Sequence, residues 1–477
     1  MIANLIGSER RPPAHGTKTL PVFNPATGEV IDQVPLSSAE DVDAAVAAAS
    51  HAYKAWSKTP VMERVRLMFR FKAVLEEHFE ELAALVTRHH GKTLDEARGE
   101  VRRGIEVVDF ACGAPTLLQG RTLREVSTGV DQDLYRYPLG VCAGIPPFNF
   151  PVMIPLWMFP LAVVAGNTFV LKPSERTPLG GARLAELFLE AGFPEGVLNV
   201  VHGAGETVDA LLAHPEVRAI SFVGSEPVAR HVYKTAAANG KRVQALGGAK
   251  NHIVVMPDAD VDLAVGSILN SAFGNAGERC LSGSVAVVVG GAAGHMLAPL
   301  TEAASRMIVG PGDQPGVQVG PLIREDHRDR VAGYVDRGVA EGARLLVDGR
   351  KEMKRAGFFL GPTILDHVTP DMAVGREEIF GPVLSVARAA TLDEAIAQAN
   401  RMALGNMATI FTQSGRAGRE FRERVEAGMT GINVPIAQPF AFFPFSGWKG
   451  SFYGDLHVHG TDGIDFYTRK KVVVTRW

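Results

Sequence analysis

Residues 167–193, NTFVLKPSERTPLGGARLAELFLEAGF, contain the pattern that predicts the fold of this chain. A short apolar run ends in a polar loop, and an amphipathic helical pattern starts at Thr177. The same order returns in GVLNVVHG (196–203) followed by GETVDALLAH, and again in RAISFVGS (218–225) followed by EPVARHVYKTAAA. Apolar strands that alternate with helices favour a parallel sheet covered on both faces. The rhythm restarts at NHIVVMPDAD (251–260), which indicates a second α/β domain.

Length and composition restrict the class of protein. The 477 residues are too many for one hydrophobic core, and the hydrophobic content of 46% is ordinary for a globular protein. A net charge of -3 gives no reason to expect nucleic acid or an acidic membrane as a partner. The longest apolar run, FPVMIPLWMFPLAVVAGNTFVL, is interrupted by prolines and an asparagine, and MIANLIGSERRPP turns polar too early for a signal peptide. We therefore expect no membrane partner.

The three cysteines, Cys112, Cys142 and Cys280, have no CxxC spacing. So few cysteines in so long a chain favour a reducing, cytoplasmic setting over a disulfide framework. His457 and His459 lie two residues apart, but no third ligand is near in sequence, so we expect no metal site.

Polar residues follow the predicted strands where open α/β sheets bind ligands. Lys172 and Glu175, in FVLKPSERTP, could hold ribose hydroxyls, and Glu175 would repel a 2′-phosphate; a solvated loop is the alternative. Ser225 follows Gly224 at the start of a helix, where free N–H groups favour a phosphate. An ordinary serine cap is the alternative there, because the segment lacks a GxGxxG motif.

Three further stretches contain candidate catalytic groups. Asn149 lies between aromatic residues and prolines in GIPPFNFP, where its amide could bond to backbone or face a developing oxyanion. Cys280, in NAGERCLSGS, is either a buried thiol or a nucleophile, and the adjacent Arg279 favours the thiolate. REEIFGPV places Glu377 and Glu378 before a tight turn. This acidic pair could supply a general base or a ribose ligand, or it could lie on the solvated surface.

PPFNFP, GNTFVLKPSERTP, FVGS, GERC and EEIFGPV occur in this order at domain-scale spacing, and together they resemble the aldehyde dehydrogenase superfamily over nearly the full length. GAKNHIVVMPDAD, PLWMFPLAVVAGNTFVLKPSERTP and the terminal FSGWKGSFYGDLHVHGTDGIDFYTRKKVVVTRW are similar to its CoA-acylating, methylmalonate-semialdehyde branch. The resemblance implies NAD as cofactor, coenzyme A as co-substrate and a homo-oligomer, either dimeric or tetrameric.

The resemblance also implies a role for each matched residue. Cys280 would be the nucleophile, and Asn149 with the Cys280 N–H would form the oxyanion hole. The matched cofactor-binding positions are Pro146, Phe148, Lys172, Glu175, Arg176, Ser225, Gly247 and Glu378.

Two departures from the wider superfamily affect the predicted chemistry. Other members carry a glutamate in ELGGK that activates water, whereas this chain has ALGGAK, and we place Leu246 at that glutamate's position. Because leucine accepts no proton, water should attack the thioester poorly, and a thiol such as that of CoA could still attack. Glu278 stands where the branch more often has glutamine. The glutamate would add a negative charge beside the nucleophile.

The predicted substrate carries a carboxylate, which needs cationic partners. Arg279 is one candidate, and EVRRGIEVV supplies Arg103, with Arg102 as the alternative. In the branch, the acyl group loses CO2 before CoA attacks, giving propionyl-CoA or acetyl-CoA. Rival predictions are a hydrolytic aldehyde dehydrogenase and a non-catalytic, ligand-binding member of the fold.

We predict three α/β parts. A Rossmann-like cofactor domain comprises residues 1–118 and 140–247, and a catalytic domain comprises residues 248–448. Residues 119–139 and 449–477 would form a β arm that joins subunits.

Overall fold

The computed structural model describes residues 1–14 and 18–477, which fold into α-helices and several β-sheets. Its strands are β1 (Asn4–Ile6), β2 (Glu9–Arg11), β3 (Thr19–Asn24), β4 (Glu29–Pro35), β5 (Arg121–Ser127), β6 (Val130–Pro138), β7 (Val141–Ile145), β8 (Thr168–Leu171), β9 (Leu198–Val200), β10 (Val217–Val223), β11 (Arg242–Leu246), β12 (His252–Val255), β13 (Val285–Val289), β14 (Arg344–Val347), β15 (Thr363–Asp366), β16 (Val383–Ala389), β17 (Leu404–Gly405), β18 (Met407–Phe411), β19 (Met429–Ile432), β20 (Trp448–Lys449), β21 (Phe452–Tyr453) and β22 (Thr468–Arg476).

The helices cover the sheets and connect their strands. They are α1 (Ala39–Trp56), α2 (Val61–Glu77), α3 (Phe79–His90), α4 (Leu94–Cys112), α5 (Ala114–Leu117), α6 (Met153–Val164), α7 (Pro178–Glu190), α8 (Gly205–Ala213), α9 (Glu226–Ala238), α10 (Val261–Phe273), α11 (Ala293–Arg306), α12 (Glu325–Ala340), α13 (Ala373–Arg376), α14 (Leu392–Asn400), α15 (Gly415–Arg424) and α16 (Gly460–Phe466).

The first sheet has the order β2-β1-β9-β8-β7-β10-β11-β21. Its five central strands are parallel, and their apolar residues are buried because helices cover both faces. The chain starts the parallel set at β7, adds β8 and β9 on one side, and then adds β10 and β11 on the other. The crevice where this order reverses, between β7 and β10, is where doubly wound sheets bind ligands.

The second sheet has the order β14-β15-β16-β13-β12-β18-β19, and all its pairings except that of β14 with β15 are parallel. Successive side chains of β12 pack into different hydrophobic clusters, with Ile253 and Val255 in one and Val254 in another. The neighbouring strands β12 and β18 each follow an asparagine that becomes important at the active site.

The third sheet, β22-β6-β5, is antiparallel and joins the end of the chain to residues 121–138. Two smaller antiparallel pairs, β3 with β4 and β17 with β20, complete the strands of the described residues.

The predicted α/β class is confirmed, and the strand–helix order from residue 167 onward matches the sequence pattern. The domain boundaries stay a prediction. One segment of the proposed arm pairs elsewhere, because Phe452 and Tyr453 of β21 bond to Leu246 and Ala245 of β11. Within the described residues, helices are either too short or too polar to cross a membrane.

Candidate active site

A cavity of about 630 Å³ lies at the carboxyl ends of the first sheet and extends to the cysteine segment of the second. Its lining includes ten of the twelve predicted site residues. They are Pro146, Phe148, Asn149, Lys172, Glu175, Arg176, Ser225, Gly247, Cys280 and Glu378. Segments far apart in sequence therefore meet around one space, as the strand-end rule predicts.

Lys172 lies one residue beyond β8 at the far end of the cavity. It is buried, its Nζ donates to the Gly203 carbonyl at 2.8 Å, and it lies 3.5 Å from a Glu175 carboxylate oxygen. Burial lowers the pKa of this ammonium group, although Glu175 opposes the change. The pair offers a donor and an acceptor side by side, which suits the two hydroxyls of a ribose.

Ser225 occupies the N-cap position of α9, but its hydroxyl makes no capping bond to the helix. The hydroxyl and the first free N–H groups of α9 are therefore available to a ligand in the cavity. Across the crevice, the Arg176 guanidinium lies 5.2 Å from the centre of the Phe148 ring. These donors and the Lys172–Glu175 pair fit a dinucleotide with an unphosphorylated 2′-hydroxyl.

Glu378 lies at the centre of the cavity, on the loop before β16. One of its oxygens accepts the Ala249 N–H at 2.9 Å, and a side chain at Gly248 would place its Cβ 2.5 Å from the other oxygen. Burial raises the pKa of Glu378 to about 7, with partial opposition from the Ala249 N–H and Lys250. Glu377, its neighbour, is instead bonded to Tyr334 and Arg376 outside this cavity.

The segment before Cys280 has an unusual backbone. Asn275, Ala276 and Gly277 have φ values of 55°, 51° and 71°, a left-handed conformation that costs side chains energy. At Gly277 a Cβ would lie only 2.2 Å from the Gly381 carbonyl oxygen, so only glycine fits. This close approach brings the cysteine segment against the turn that follows Glu378.

Two buried asparagines hold the backbone of Cys280. The Cys280 carbonyl accepts Nδ2 of Asn251 at 2.8 Å and Nδ2 of Asn406 at 3.0 Å. Asn251 Oδ1 in turn accepts the N–H of Met407. The sequence analysis missed both residues, and their common signal is a position directly before neighbouring strands of the second sheet, β12 and β18.

Asn149 is buried, and its Nδ2 donates to the Glu278 carbonyl at 2.9 Å. An amide nitrogen carries two hydrogens, so the second is available to a developing oxyanion. The N–H groups of Cys280 and Leu281 lie close enough to the Cys280 sulfur to lower its pKa. The Asn149 amide is thus bonded to the segment that carries the Cys280 sulfur and N–H, which suits an oxyanion hole.

The expected thiolate at Cys280 is wrong. Burial, and secondly the Glu378 carboxylate, raise the pKa of this thiol to about 12, although Arg279 acts in the opposite direction. Adjacent sequence shows the arginine but not the burial, which is the larger effect. Cys280 is nevertheless the only partly exposed thiol of the three, because Cys112 and Cys142 are buried core residues.

The predicted negative charge of Glu278 is also wrong. Its side chain is fully buried, and burial raises its pKa to about 8, so the carboxyl is mostly protonated at neutral pH. One oxygen accepts the Ile323 N–H at 3.2 Å and lies 3.3 Å from His327 Nε2. A protonated carboxyl resembles the amide of glutamine in both shape and charge, which explains why either residue suits this position.

The position assigned to Leu246 needs a correction of one residue. When ALGG is placed over ELGG letter by letter, Ala245 takes the place of the glutamate and Leu246 that of the leucine. Both side chains are buried on β11 and neither accepts a proton. The chemical conclusion is unchanged, since this strand offers no general base at either position.

Arg279 lies beside the nucleophile, with 15% of its side chain exposed, and its closest charged partner is Glu96 at 3.9 Å. Glu96 also accepts the Asn275 N–H, so it connects α4 to the cysteine segment.

Arg103 lies on the same face of α4 as Glu96, seven residues further along, and its guanidinium is 4.5 Å from the Phe440 ring centre. Arg102 points to the outer face, where it pairs with Glu76.

His457 and His459 have structural partners. His457 Nδ1 lies 3.1 Å from Asp462, and His459 Nδ1 lies 2.7 Å from the Phe443 carbonyl. The described residues contain no group of three or more histidine, cysteine or acidic side chains that could hold a metal ion.

Comparisons with known proteins agree with this arrangement. The model of the aldehyde dehydrogenase family matches residues 13–473. Malonate-semialdehyde dehydrogenase 1 of Geobacillus thermodenitrificans is 57% identical over 466 residues, which cover 97% of this chain and 96% of that protein.

Two solved structures superpose on the whole chain. A methylmalonate-semialdehyde dehydrogenase from Oceanimonas doudoroffii has a TM-score of 0.98 at 50% identity, covering 100% of this chain and 98% of that one. A Sinorhizobium meliloti protein assigned to the same activity, solved with NAD, has a TM-score of 0.98 at 45% identity and the same coverage. The predicted family and branch are confirmed, and the chain belongs to the aldehyde dehydrogenase family.

Proposed function

We propose that this protein oxidises malonate semialdehyde or methylmalonate semialdehyde with NAD and transfers the acyl group to coenzyme A. The observation that carries the proposal is that Cys280 and the Asn149 amide line the same cavity as Lys172 and Glu175, while the partly exposed Arg279 adjoins Cys280 in the chain. The substrates named for the relatives, malonate semialdehyde and its methyl derivative, are aldehydes with a carboxylate, which fits these residues.

NAD, when bound, would supply the hydride acceptor. Lys172 and Glu175 would hold the ribose next to adenine, Ser225 the pyrophosphate and Glu378 the second ribose, while Pro146, Phe148, Arg176 and Gly247 shape the cleft. Glu175 also excludes a 2′-phosphate by charge repulsion, which favours NAD over NADP.

Cys280 begins the reaction as a thiol. Its sulfur bonds to the aldehyde carbon as its proton leaves, and the aldehyde oxygen becomes an oxyanion that Asn149 and the Cys280 N–H stabilise. The carbon then loses a hydride, and the product on the enzyme is a thioester. Since Glu378 has a pKa of about 7 and lines the same cavity, it is able to exchange a proton near neutral pH.

Arg279 and Arg103 would bind the substrate carboxylate through charge-assisted hydrogen bonds. The carboxylate is β to the thioester carbonyl, so CO2 can leave with its bonding electrons passing to an enolate. The same donors that held the oxyanion would hold the enolate oxygen until its carbon takes a proton. The enzyme then carries an acetyl or propionyl group on Cys280.

The last step transfers this acyl group to a thiol. Ala245 and Leu246 provide no base to activate water, whereas the thiol of CoA ionises without one in a larger fraction. The CoA sulfur would bond to the carbonyl carbon and release the Cys280 sulfur. The products would be acetyl-CoA from malonate semialdehyde or propionyl-CoA from its methyl derivative. Valine or inositol breakdown would supply such substrates.

The decisive experiment follows NADH formation with and without CoA. Without CoA, we expect one NADH per active site and then a near halt; with CoA, we expect continuous turnover with CO2 and acyl-CoA detected by mass spectrometry. Equal steady rates without CoA would support a hydrolytic enzyme. No NADH, together with equal iodoacetamide labelling of Cys280 and Cys112, would support a ligand-binding protein.

We also propose that the sheet of β5, β6 and β22 joins subunits into a dimer or tetramer. The apolar side chains of Leu123, Val472, Val474 and Trp477 are each at least 60% exposed on this sheet in the single chain. Light scattering of a Val472→Lys/Val474→Lys variant tests this, since a wild-type mass that persists in the variant would contradict it.

A further inference from the structure

Lys92 and Glu100 form a fully buried ion pair beneath the active site. Their charged atoms are 2.7 Å apart, and neither side chain is exposed to solvent. Lys92 lies between α3 and α4, and Glu100 is on α4. A buried ion pair is expensive in desolvation and is weak evidence for stability, so its partners need examination.

The remaining hydrogen bonds of the pair all lead to the segment that carries Asn149. Lys92 Nζ donates to the Asn149 carbonyl oxygen at 2.7 Å and lies 4.0 Å from the centre of the Phe150 ring. Glu100 accepts the N–H groups of Val152 and Met153, at 2.8 and 3.2 Å, where α6 begins. The pair thus holds this segment at two points, three residues apart.

These bonds fix Asn149 from the side opposite to its amide. The amide donates to the Glu278 carbonyl, while the backbone oxygen of the same residue accepts from Lys92. An asparagine fixed at both its backbone and its side chain has little freedom to turn away from a reacting carbonyl. Displacements of about 1 Å in such a group lower rates by factors on the order of 100.

We infer that Lys92 and Glu100 are a positioning pair, which holds the Asn149 amide in the geometry that stabilises the oxyanion. The inference rests on the proposed function, because it assumes that Asn149 faces the oxyanion. Neither residue touches the reacting atoms. The pair acts through the backbone of Asn149 and through the first turn of α6, and neither of its own side chains lines the cavity.

The test measures the rate of the first NADH in stopped flow, the affinity for NAD, and the midpoint of thermal unfolding. Lys92→Met should slow the first NADH by roughly tenfold or more and leave the affinity for NAD within about twofold, because it displaces one oxyanion donor only. The double variant Lys92→Met/Glu100→Gln has no unpaired buried charge at these positions. The amide oxygen introduced by Glu100→Gln can still accept the N–H groups of Val152 and Met153. The double variant should unfold near the wild-type temperature and remain slow.

The distinguishing measurement combines these changes with Asn149→Ala. If the pair acts through Asn149, adding Lys92→Met to Asn149→Ala should lower the rate by less than about twofold more. Lys72→Met is the matched control, because it breaks the exposed Lys72–Asp109 pair at 2.7 Å on α2 and α4. This control should keep the wild-type rate.

Three outcomes would overturn the inference: wild-type NADH rates in both variants, full additivity with Asn149→Ala, or failure of both variants to fold. The last would show that the pair serves folding rather than position. If wild-type protein makes no NADH from any aldehyde, the proposed function fails instead, so the two failures are distinguishable.

Discussion

The cofactor cleft and the cysteine segment differ in how their residues are held. In the cleft, Lys172, Ser225 and Gly247 each lie within two residues of the end of a parallel strand, and the strand fixes their place. The cysteine segment has three left-handed residues, and asparagines from distant parts of the chain hold it: Asn149 bonds Glu278, while Asn251 and Asn406 bond Cys280. The binding site is thus a property of local pattern, whereas the reaction site depends on buried polar contacts between remote segments.

The largest effect should come from removing the nucleophile. Cys280→Ala should lower NADH formation by roughly a thousandfold or more, because no other group replaces the sulfur. Fluorescence titration should still show NAD binding, since the cleft is built separately. Cys142→Ala, in the core, serves as the control and should keep turnover. Substantial turnover of Cys280→Ala would refute both the assigned role and the separation of the two regions.

The next effect concerns the cation beside the sulfur. Arg279→Leu should raise KM for malonate semialdehyde by roughly 10- to 100-fold, because it removes a charge-assisted hydrogen bond to the substrate carboxylate. It should change KM for propanal, which has no carboxylate, much less. Steady-state kinetics with both aldehydes provides the comparison. Equal increases for the two substrates would mean that Arg279 supports the loop rather than the carboxylate.

The two neighbouring arginines of α4 should differ. Arg103→Leu should raise KM for the carboxylated aldehyde by about tenfold, since Arg103 shares the face of Glu96 and Glu100. Arg102→Leu removes an exposed pair with Glu76 and should have an effect below twofold on kinetics. The same steady-state assay separates them, and identical kinetics for the two variants would exclude Arg103 as a substrate ligand.

The smallest effect concerns Glu278 and pH. The pKa of Glu278 is about 8 in the folded protein, against an ordinary value of 4.5. Between these two pH values, the folded protein therefore binds a proton at Glu278 that the unfolded chain does not bind. Folding stability should therefore fall as pH rises from about 5 to 8, by on the order of a few kcal/mol. Glu278→Gln cannot ionise and should flatten this slope in thermal unfolding, leaving the part due to Glu378. An unchanged slope would show that Glu278 ionises freely.

How far the sequence predicts this molecule follows from the same contrast. The strand–helix alternation and the cleft residues were predictable, because each signal lies within about ten residues of chain. The roles of Lys92, Glu96 and Glu100 were not, since GKTLDEARGE has the pattern of an ordinary capped helix. The errors at Cys280 and Glu278 have one cause: burial, which dominates both pKa values, depends on residues that are remote in sequence.

The position of β21 has a consequence for synthesis on the ribosome. The Gly247 N–H donates to the Ser451 carbonyl, and β21 covers the edge of β11, so residues near 450 finish a sheet begun near 141. Translation delivers these residues long after β7 to β11, and until then β11 is an unpaired strand edge, a template for aggregation. Ribosome-bound chains that stop before β21 should consequently need chaperone protection, and the cleft should gain its full NAD affinity only once β21 has paired with β11.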